Sequence, residues 1–457
     1  MKDILVIILF SMILNPLITN AQVTQEWVAT YTGIGTGGNY AVKNAIDKFG
    51  NLIVAGRSDS TSEDYIILKY SNSGNLLWSK RYAGAANSTD KIRDMVLDDS
   101  GNIYVTGISY EGISLGGQNW LTIKYNANGE LVWKQSLNWT GNRSDVPASI
   151  ALDKNNNVYV TGYEYVAPAP LLKEDLVVAK YNIKGNLEWT RSHSSPTAYS
   201  AHGFSVVTDS SNYVYVSGYS YDSIITIKYS ESGNTMWERT FFNIEANYVV
   251  PVYAKIDKQN NIIVNGWYTV ATQDNFVTLK NDNDSNFNAE NPNIRFVDQS
   301  SNAITGLMFA KLNSDPEEKR ELIVTRSDGK IYRFLNDDGI ISNSSIQTIH
   351  TANGTVAAVG KFTTDNNEDI AVISGNDVKI YKSAGNGSLD TTAAYTLSNV
   401  SANKVLNSQI SSYIYPYSVI NNTTADRDEI IIRTGTNIKI YLNDNSNGTS
   451  SITTLTI

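Results

Sequence analysis

Asp98-Asp-Ser-Gly-Asn-Ile-Tyr-Val-Thr-Gly107 is one of five segments that share a pattern in this 457-residue chain. The others are Asp47-Lys-Phe-Gly-Asn-Leu-Ile-Val-Ala-Gly56, Asp153-Lys-Asn-Asn-Asn-Val-Tyr-Val-Thr-Gly162, Asp209-Ser-Ser-Asn-Tyr-Val-Tyr-Val-Ser-Gly218 and Asp257-Lys-Gln-Asn-Asn-Ile-Ile-Val-Asn-Gly266. Each opens as a tight hairpin turn, in which Asp bonds its own backbone and Gly or Asn takes the left-handed conformation. The Val/Ile/Tyr run that follows is apolar throughout, as in a strand buried on both faces. The closing glycines are 51, 55, 56 and 48 residues apart. A period near 50 with short strands predicts propeller blades of about four strands each.

Each unit continues alike. A strand ends in Lys-Tyr at Tyr70, Tyr125, Tyr181 and Tyr229, a Ser/Asn/Gly turn follows, and the next strand bears Trp78, Trp133, Trp189 or Trp237. The fifth unit reaches Lys280 without the Tyr or the Trp, and Trp27-Val-Ala-Thr-Tyr31 is a lone copy of the Trp strand. The recurring Trp supplies packing area between blades. The recurring Asp is a turn residue, since a catalytic role would require the same reaction five times over. Over residues 27–280 these units resemble the bacterial β-propeller repeat of the SBBP type, found in exported proteins. The resemblance implies architecture and no single biochemical role.

After Asn281 the style changes. The stretch 281–293 is polar and turn-rich, a linker or long loop. Beyond it, Glu321-Leu-Ile-Val-Thr-Arg-Ser-Asp-Gly-Lys-Ile-Tyr332, Asp369-Ile-Ala-Val-Ile-Ser-Gly-Asn-Asp-Val-Lys-Ile-Tyr381 and Glu429-Ile-Ile-Ile-Arg-Thr-Gly-Thr-Asn-Ile-Lys-Ile-Tyr441 are three matching hairpins, 48 and 60 residues apart. They resemble FG-GAP or VCBS repeats, another blade type, which often carries a calcium loop before the first strand. In the middle copy Asp365 and Asp369 match acidic ligand positions, but Lys361 stands at the first, Thr363 replaces Asn and Asn366 replaces Gly. The copy from Lys311 has Pro316 in place of Gly, and the copy from Asn421 lacks the first acid. Calcium takes six to eight oxygens, and a Lys ammonium repels it. Calcium is therefore disfavoured, and neither a metal site nor another cofactor is expected.

The expected organisation is a signal peptide at 1–21, five SBBP-like units at 22–280, the linker at 281–293 and three FG-GAP/VCBS-like units at 294–457. The fold class is all-β, a β-propeller, with one ring of about eight four-stranded blades. The alternatives are seven blades, or a five-bladed propeller plus a smaller β domain. The Trp27 strand offers a ring-closing partner for another blade, since closure removes sheet edges.

At the N-terminus Lys2 precedes an apolar run from Ile4 to Leu14, and Thr19-Asn20-Ala21 ends in a small residue suited to cleavage. Asn15-Pro16 breaks the apolar run short of a membrane span. Secretion or display at the cell surface is expected, with no membrane insertion after cleavage. The chain has no Cys, which excludes disulfides, thiolate catalysis and thiolate metal sites. A formal charge of −9 argues against nucleic-acid partners.

Three His occur. His193 and His202 fall in the irregular stretch Ser192 to Gly203, a loop between blades, and His350 falls in a turn. Gly33-Ile-Gly35-Thr-Gly-Gly38 lacks the Lys-Ser/Thr and the helix of a phosphate loop. No catalytic residue is assigned. The two turns in each unit are short and share one end of the blades, whereas the other connections vary and share the opposite end. Aromatics collect there: Tyr110, Tyr163, Tyr165, Tyr219, Tyr221, Trp267 and Tyr268 just past the closing glycines, with Trp139 and Tyr199 in the other connection. Aromatics among Asn and Ser on variable loops over a rigid scaffold suit glycan or protein ligands; packing at strand ends is the competing use. The expectation is a non-catalytic, monomeric recognition or adhesion module for extracellular glycan or protein, the alternatives being a carbohydrate-active enzyme or its accessory subunit, or a structural part of a larger surface protein. A bound ion would stabilise the fold by mass action, so melting in EDTA and in millimolar calcium should agree within a few degrees, and a large calcium-dependent rise would overturn the loss of the ligands.

Overall fold

The computed structural model describes residues 28–31, 39–59, 62–84, 88–110, 117–139, 145–166, 173–195, 200–220, 222–242, 248–256, 260–270, 273–281 and, between 304 and 456, the strands named below with short flanking pieces. Among the described residues there are strands and no helix. The first sheet is β2 (Asn39–Ile46), β3 (Leu52–Asp59), β4 (Glu63–Tyr70) and β5 (Leu76–Tyr82). The second is β6 (Lys91–Leu97), β7 (Ile103–Ser109), β8 (Asn119–Tyr125) and β9 (Leu131–Leu137). The third is β10 (Val146–Leu152), β11 (Val158–Tyr165), β12 (Glu174–Tyr181) and β13 (Leu187–His193). The fourth is β14 (Ala201–Thr208), β15 (Val214–Ser220), β16 (Ser223–Tyr229) and β17 (Thr235–Phe242). The fifth has three described strands, β18 (Tyr248–Ile256), β19 (Ile262–Val270) and β20 (Gln273–Asn281).

The sixth sheet is β21 (Ile304–Ala310), β22 (Glu321–Arg326), β23 (Lys330–Phe334) and β26 (Gln347–His350), with a small hairpin of β24 (Asn336–Asp337) and β25 (Ile340–Ile341) inserted. The seventh is β27 (Gly354–Gly360), β28 (Asp369–Ser374), β29 (Asp377–Tyr381) and β30 (Tyr395–Leu397). The eighth joins β31 (Ile430–Thr434), β32 (Asn437–Asn443) and β33 (Ser450–Thr456) to β1 (Val28–Thr30). There β1 lies parallel to β33, Val28 opposite Thr454 and Thr30 opposite Thr456. Consecutive sheets pack through their leading strands, β2 on β6, β6 on β10, β10 on β14, β14 on β18 and β21 on β27, and β27 also packs on β31, the first strand of the last hairpin. Antiparallel four-stranded meanders set side by side in this way make a β-propeller.

The repeat signature explains the sheet it builds. The Asp47 carboxylate accepts the amides of Phe49 and Asn51, both at 2.9 Å, and Asp98, Asp153 and Asp209 accept the matching amides of their own turns. The left-handed residue of the turn is Gly50, Gly101, Asn156, Asn212 or Asn260. Three of the buried Tyr anchor on the same Asp from the next strand: Tyr104, Tyr159 and Tyr215 donate to Asp98, Asp153 and Asp209 at 3.1, 3.0 and 2.9 Å. In the first sheet Ile53 replaces that Tyr, and Lys69 pairs with Asp47 at 2.9 Å instead.

The Trp of one sheet closes on the turn of the next. The indole N–H groups of Trp78, Trp133 and Trp189 donate to the carbonyls of Ala127, Ile183 and Glu231 at 3.3, 3.1 and 3.1 Å. The ring lies against a left-handed glycine of that turn. A Cβ at Gly129, Gly185 or Gly233 would stand 2.8, 2.6 or 2.8 Å from the indole of Trp78, Trp133 or Trp189. Trp and glycine are thus two halves of one contact between sheets.

Some expectations change. His193 ends β13 and His202 lies within β14, so both belong to strands and not to a loop. His350, expected in a turn, ends β26 opposite Lys330. The three C-terminal hairpins form as antiparallel pairs. Asp369 is buried at the start of β28 and accepts the Ser383 amide at 2.9 Å. Residues 1–27, the stretch from Gly33 to Gly38, 282–293, Lys311, Asn313, Asp315, Pro316, Lys361, Thr363, Asp365, Asn366 and Asn421 lie outside the described residues.

Trp133 is 8% exposed and packs edge-on against Tyr104, with Tyr181 also within ring-contact range. Trp133→Ala should therefore cost about 3–5 kcal/mol. Thermal melting checks this, and a soluble variant with an unchanged melting temperature would contradict the buried contact.

Candidate functional site

In an antiparallel meander the turns after the first and third strands fall at one end, and the longer connections fall at the other. At this second end the seams between sheets carry the polar chemistry. Asp90 and Asp145 each stand just before a leading strand and clamp the two sheets it joins. Asp90 accepts the Gly84 amide at 2.6 Å and the Tyr110 amide at 3.1 Å. Asp145 accepts the amides of Trp139 and Tyr165, both at 3.2 Å. Burial pushes both carboxyls up, Asp145 to about 6, against the pull of those amides. Glu164, 8% exposed on β11, is pushed up to about 7 by burial and then by the charges of Asp145 and Asp175.

The third seam, between the third and fourth sheets, holds the densest arrangement. His202 pairs in register with Tyr219 across β14 and β15. Its Nε2 lies 2.5 Å from Oε2 of Glu174 on β12, and its Nδ1 lies 2.9 Å from the Tyr219 hydroxyl. Tyr163 of β11 stacks on the imidazole at 3.9 Å and 14°. Tyr165 sits 6.0 Å from Tyr163 between ring centres, and Phe204 sits 5.7 Å from Tyr219. Burial raises the Glu174 carboxyl, but the hydrogen bond and charge of His202, with the hydroxyls of Tyr165 and Ser200, hold it below its ordinary value. The result is a hydroxyl–imidazole–carboxylate chain bordered by half-buried aromatic faces.

Three of the nine candidate aromatics, Tyr163, Tyr165 and Tyr219, therefore meet around His202. Tyr110 and Trp139 lie at the first and second seams, where Trp139 packs edge-on against the fully buried Trp120 at 4.8 Å. Tyr268 is corrected to a core residue: it is 2% exposed and packs on Phe241. Trp267 occupies β19 opposite Val250. Tyr199 and Tyr221 lie outside the described residues.

Sequence reasoning missed Glu174, Asp90 and Asp145, and it set His202 aside as part of a loop. A signal for each was present. Glu63-Asp64 and Glu174-Asp175 stand at the same distance before the repeat tyrosines Tyr70 and Tyr181, Asp90 and Asp145 at the same distance before Gly107 and Gly162, and Lys91 and His202 likewise before Gly107 and Gly218.

With this geometry in place, comparison with known proteins places the repeat. The family described as SBBP, a β-propeller repeat, matches residues 77–112 and 133–163. Each match starts in the Trp strand of one sheet and ends at or just past the second strand of the next. The sequence repeat is thus offset from the sheet and spans a seam. No curated protein matches the chain. Among solved structures it is similar to the Pseudomonas aeruginosa periplasmic gluconolactonase PpgL, with 12% identity and a TM-score of 0.42 over 76% of this chain and 95% of that one. It is also similar to Saccharomyces cerevisiae Sqt1, with 8% identity and a TM-score of 0.48 over 94% and 99% of the two chains. A third similarity is to a streptogramin B lyase structure, with 13% identity and a TM-score of 0.38 over 73% and 89%.

The raised Glu164 carboxyl sets a pH dependence. Its folded value of about 7 exceeds the ordinary 4.5, so its favourable contribution is present below about pH 4.5 and is lost as pH rises through about 7. Glu164→Gln should raise the melting temperature at pH 8 by about 2–4 °C, and by less than half of that at pH 5. Equal shifts at the two pH values would show that the carboxyl is solvated.

Proposed function

We propose that this chain is an exported, non-catalytic β-propeller that acts as a recognition or adhesion module for an extracellular glycan or protein. The observation that carries the reading is the convergence of Tyr163, Tyr165 and Tyr219 on His202 at the end of the sheets where connections vary. Half-buried aromatic faces edged by hydroxyls and a carboxylate suit the apolar faces and hydroxyl rims of sugars, or a polar protein surface. Export is supported by the apolar run Ile4–Leu14 and the small-residue site at Ala21. The module acts as a monomer.

A single ring of eight blades, with FG-GAP/VCBS-like units as its last three, is supported by the pairing of β1 with β33. In such a ring the fragments 22–290 and 291–457 each leave two open blade faces, exposing apolar side chains at about 25 cal/mol per Å². Both should aggregate or melt well below the full chain, and a soluble, stable 22–290 monomer would point to a five-bladed propeller with a separate β domain.

The alternative reading, a carbohydrate-active enzyme, is favoured by the raised carboxyls of Asp145 and Glu164, which lie in the range of general acids. A glycan array probed with the mature chain, beside a reducing-sugar assay, separates the two. The recognition reading expects array binding that falls at least about tenfold in Tyr163→Ala and Tyr219→Ala, with no sugar released. Release of reducing sugar that stops in Glu164→Gln would favour the enzyme.

A further inference from the structure

The same position in the repeat carries a permanent cation at one seam and a titratable one at another. At the first seam Glu63, the first residue of β4, pairs with Lys91 of β6 at 3.0 Å and with Arg57 at 2.8 Å. At the third seam Glu174, the first residue of β12, pairs with His202 of β14 at 2.5 Å. The two glutamates are equivalent in register, since Glu63 lies opposite Asp59 and Glu174 opposite Tyr165, each three residues past the closing glycine. Lys91 and His202 are equivalent too, each paired with the residue after the closing glycine. A second histidine crosses the third seam in the reverse sense: Nδ1 of His193 on β13 lies 3.3 Å from Oε2 of Glu238 on β17. Two of the three histidines of the chain thus join the same two sheets, each through a glutamate of the other.

We propose that the third seam is a pH-sensitive joint, tightened by protonation of His202 and His193 and loosened as they lose their charge. That this joint regulates ligand capture rests on the reading of the aromatic cluster as a binding surface. Among the described residues the groups that face His202 are Glu174 from β12, Tyr163 from β11 and Tyr219 from β15, and the hydroxyls of Tyr165 and Ser200 bond the Glu174 carboxyl. Those around His193 are Glu238 from β17 and Arg191 on its own strand, with Tyr229 of β16 near both. Asp175 takes the Ser194 hydroxyl and lies near Lys173. Glu164 and Asp175 alternate with Tyr165 and Glu174 and so point to the opposite face of the sheet.

The chemistry of the imidazole sets the direction. Imidazole changes charge between about pH 5 and 8. Neutral, His202 gives its Nε2 proton to Glu174 and accepts the Tyr219 hydroxyl at Nδ1, so every hydrogen bond is kept. Among the described residues no other cation then pairs with the Glu174 carboxylate, and both side chains are 15% exposed. Protonated, the ring supplies that charge, and its second N–H turns Tyr219 from donor to acceptor. The protonation state of the ring therefore sets the hydrogen-bond role of a member of the aromatic cluster.

The test is amide hydrogen exchange at pH 5.5 and pH 8, corrected for intrinsic rates, on the full mature chain carrying Glu164→Gln, which removes the pH dependence of that carboxyl from the same sheet. Protection of β12 and β14 should fall about three- to tenfold between these values, while β4 and β6 at the Lys91 seam stay level. His202→Lys should remove most of the dependence, and His193→Lys added to it should remove the rest. Lys91→His should install the dependence at the first seam, which covers the case in which His202→Lys does not fold. An unchanged profile in the lysine variants, or equal profiles at the two seams, would overturn the proposal. Exchange needs no ligand, so a joint that responds to pH beside a glycan array that stays blank would refute the glycan form of the binding reading and leave the switch standing.

Discussion

A single close approach organises each sheet of the repeat. The glycine that closes the second strand has no Cβ because the carbonyl of the leading strand occupies its place. A Cβ at Gly56, Gly107, Gly162 or Gly218 would fall 2.1 Å from the carbonyl oxygen of Tyr40, Lys91, Val146 or His202. Just after that carbonyl the leading strand takes an extra residue, between Ala41 and Lys43, Ile92 and Asp94, Pro147 and Ser149, and Gly203 and Ser205. Bulges of this kind bend a strand and re-aim its side chains. Related bulges recur in β18 of the fifth sheet and in β21 and β27, so the sixth and seventh sheets interrupt their leading strands as the repeat sheets do.

The bulge also links the scaffold to the site. The residues whose carbonyls press on the glycine include Lys91 and His202, which reach across the first and third seams to Glu63 and Glu174. One backbone device thus sets the position, and the side chain placed there sets the chemistry of the seam. At the first seam that chemistry is a salt bridge with Lys91 and at the third it is the histidine chain. At the second, Val146 stands in the equivalent place and the aromatic pair Trp120–Trp139 fills the joint. Units that look alike as strands therefore differ as joints.

What could be read in the sequence follows from this division. Turn Asp, closing Gly, Lys-Tyr and Trp recur because backbone geometry demands them in each sheet, so their period revealed the sheets and the role of the Trp. The seam pairs were hidden because their members come from different units, separated by connections of unequal length. Glu174 and His202 are 28 residues apart and meet only when β12 packs against β14. The stretch around His193 and His202 lacks an apolar alternation, and it forms strand because its neighbours offer hydrogen bonds, not because of its own propensity. Tyr268 misled for the opposite reason: an aromatic just past a closing glycine can face the seam, as Tyr219 does, or the core.

The parallel pairing of β1 with β33 has a consequence for how the chain acquires its structure. Every other described strand pairs with a partner close by in sequence, so the sheets can form in order as the chain becomes free. Val28 and Thr454 are 426 residues apart, and closing a flexible loop of that length costs about 5 kcal/mol on the (3/2)RT ln n scale. That cost falls once the intervening sheets have stacked and brought the two ends near each other. The zipping of β1 onto β33 is therefore the final step, and until it happens β33 presents an open edge to any other extended chain.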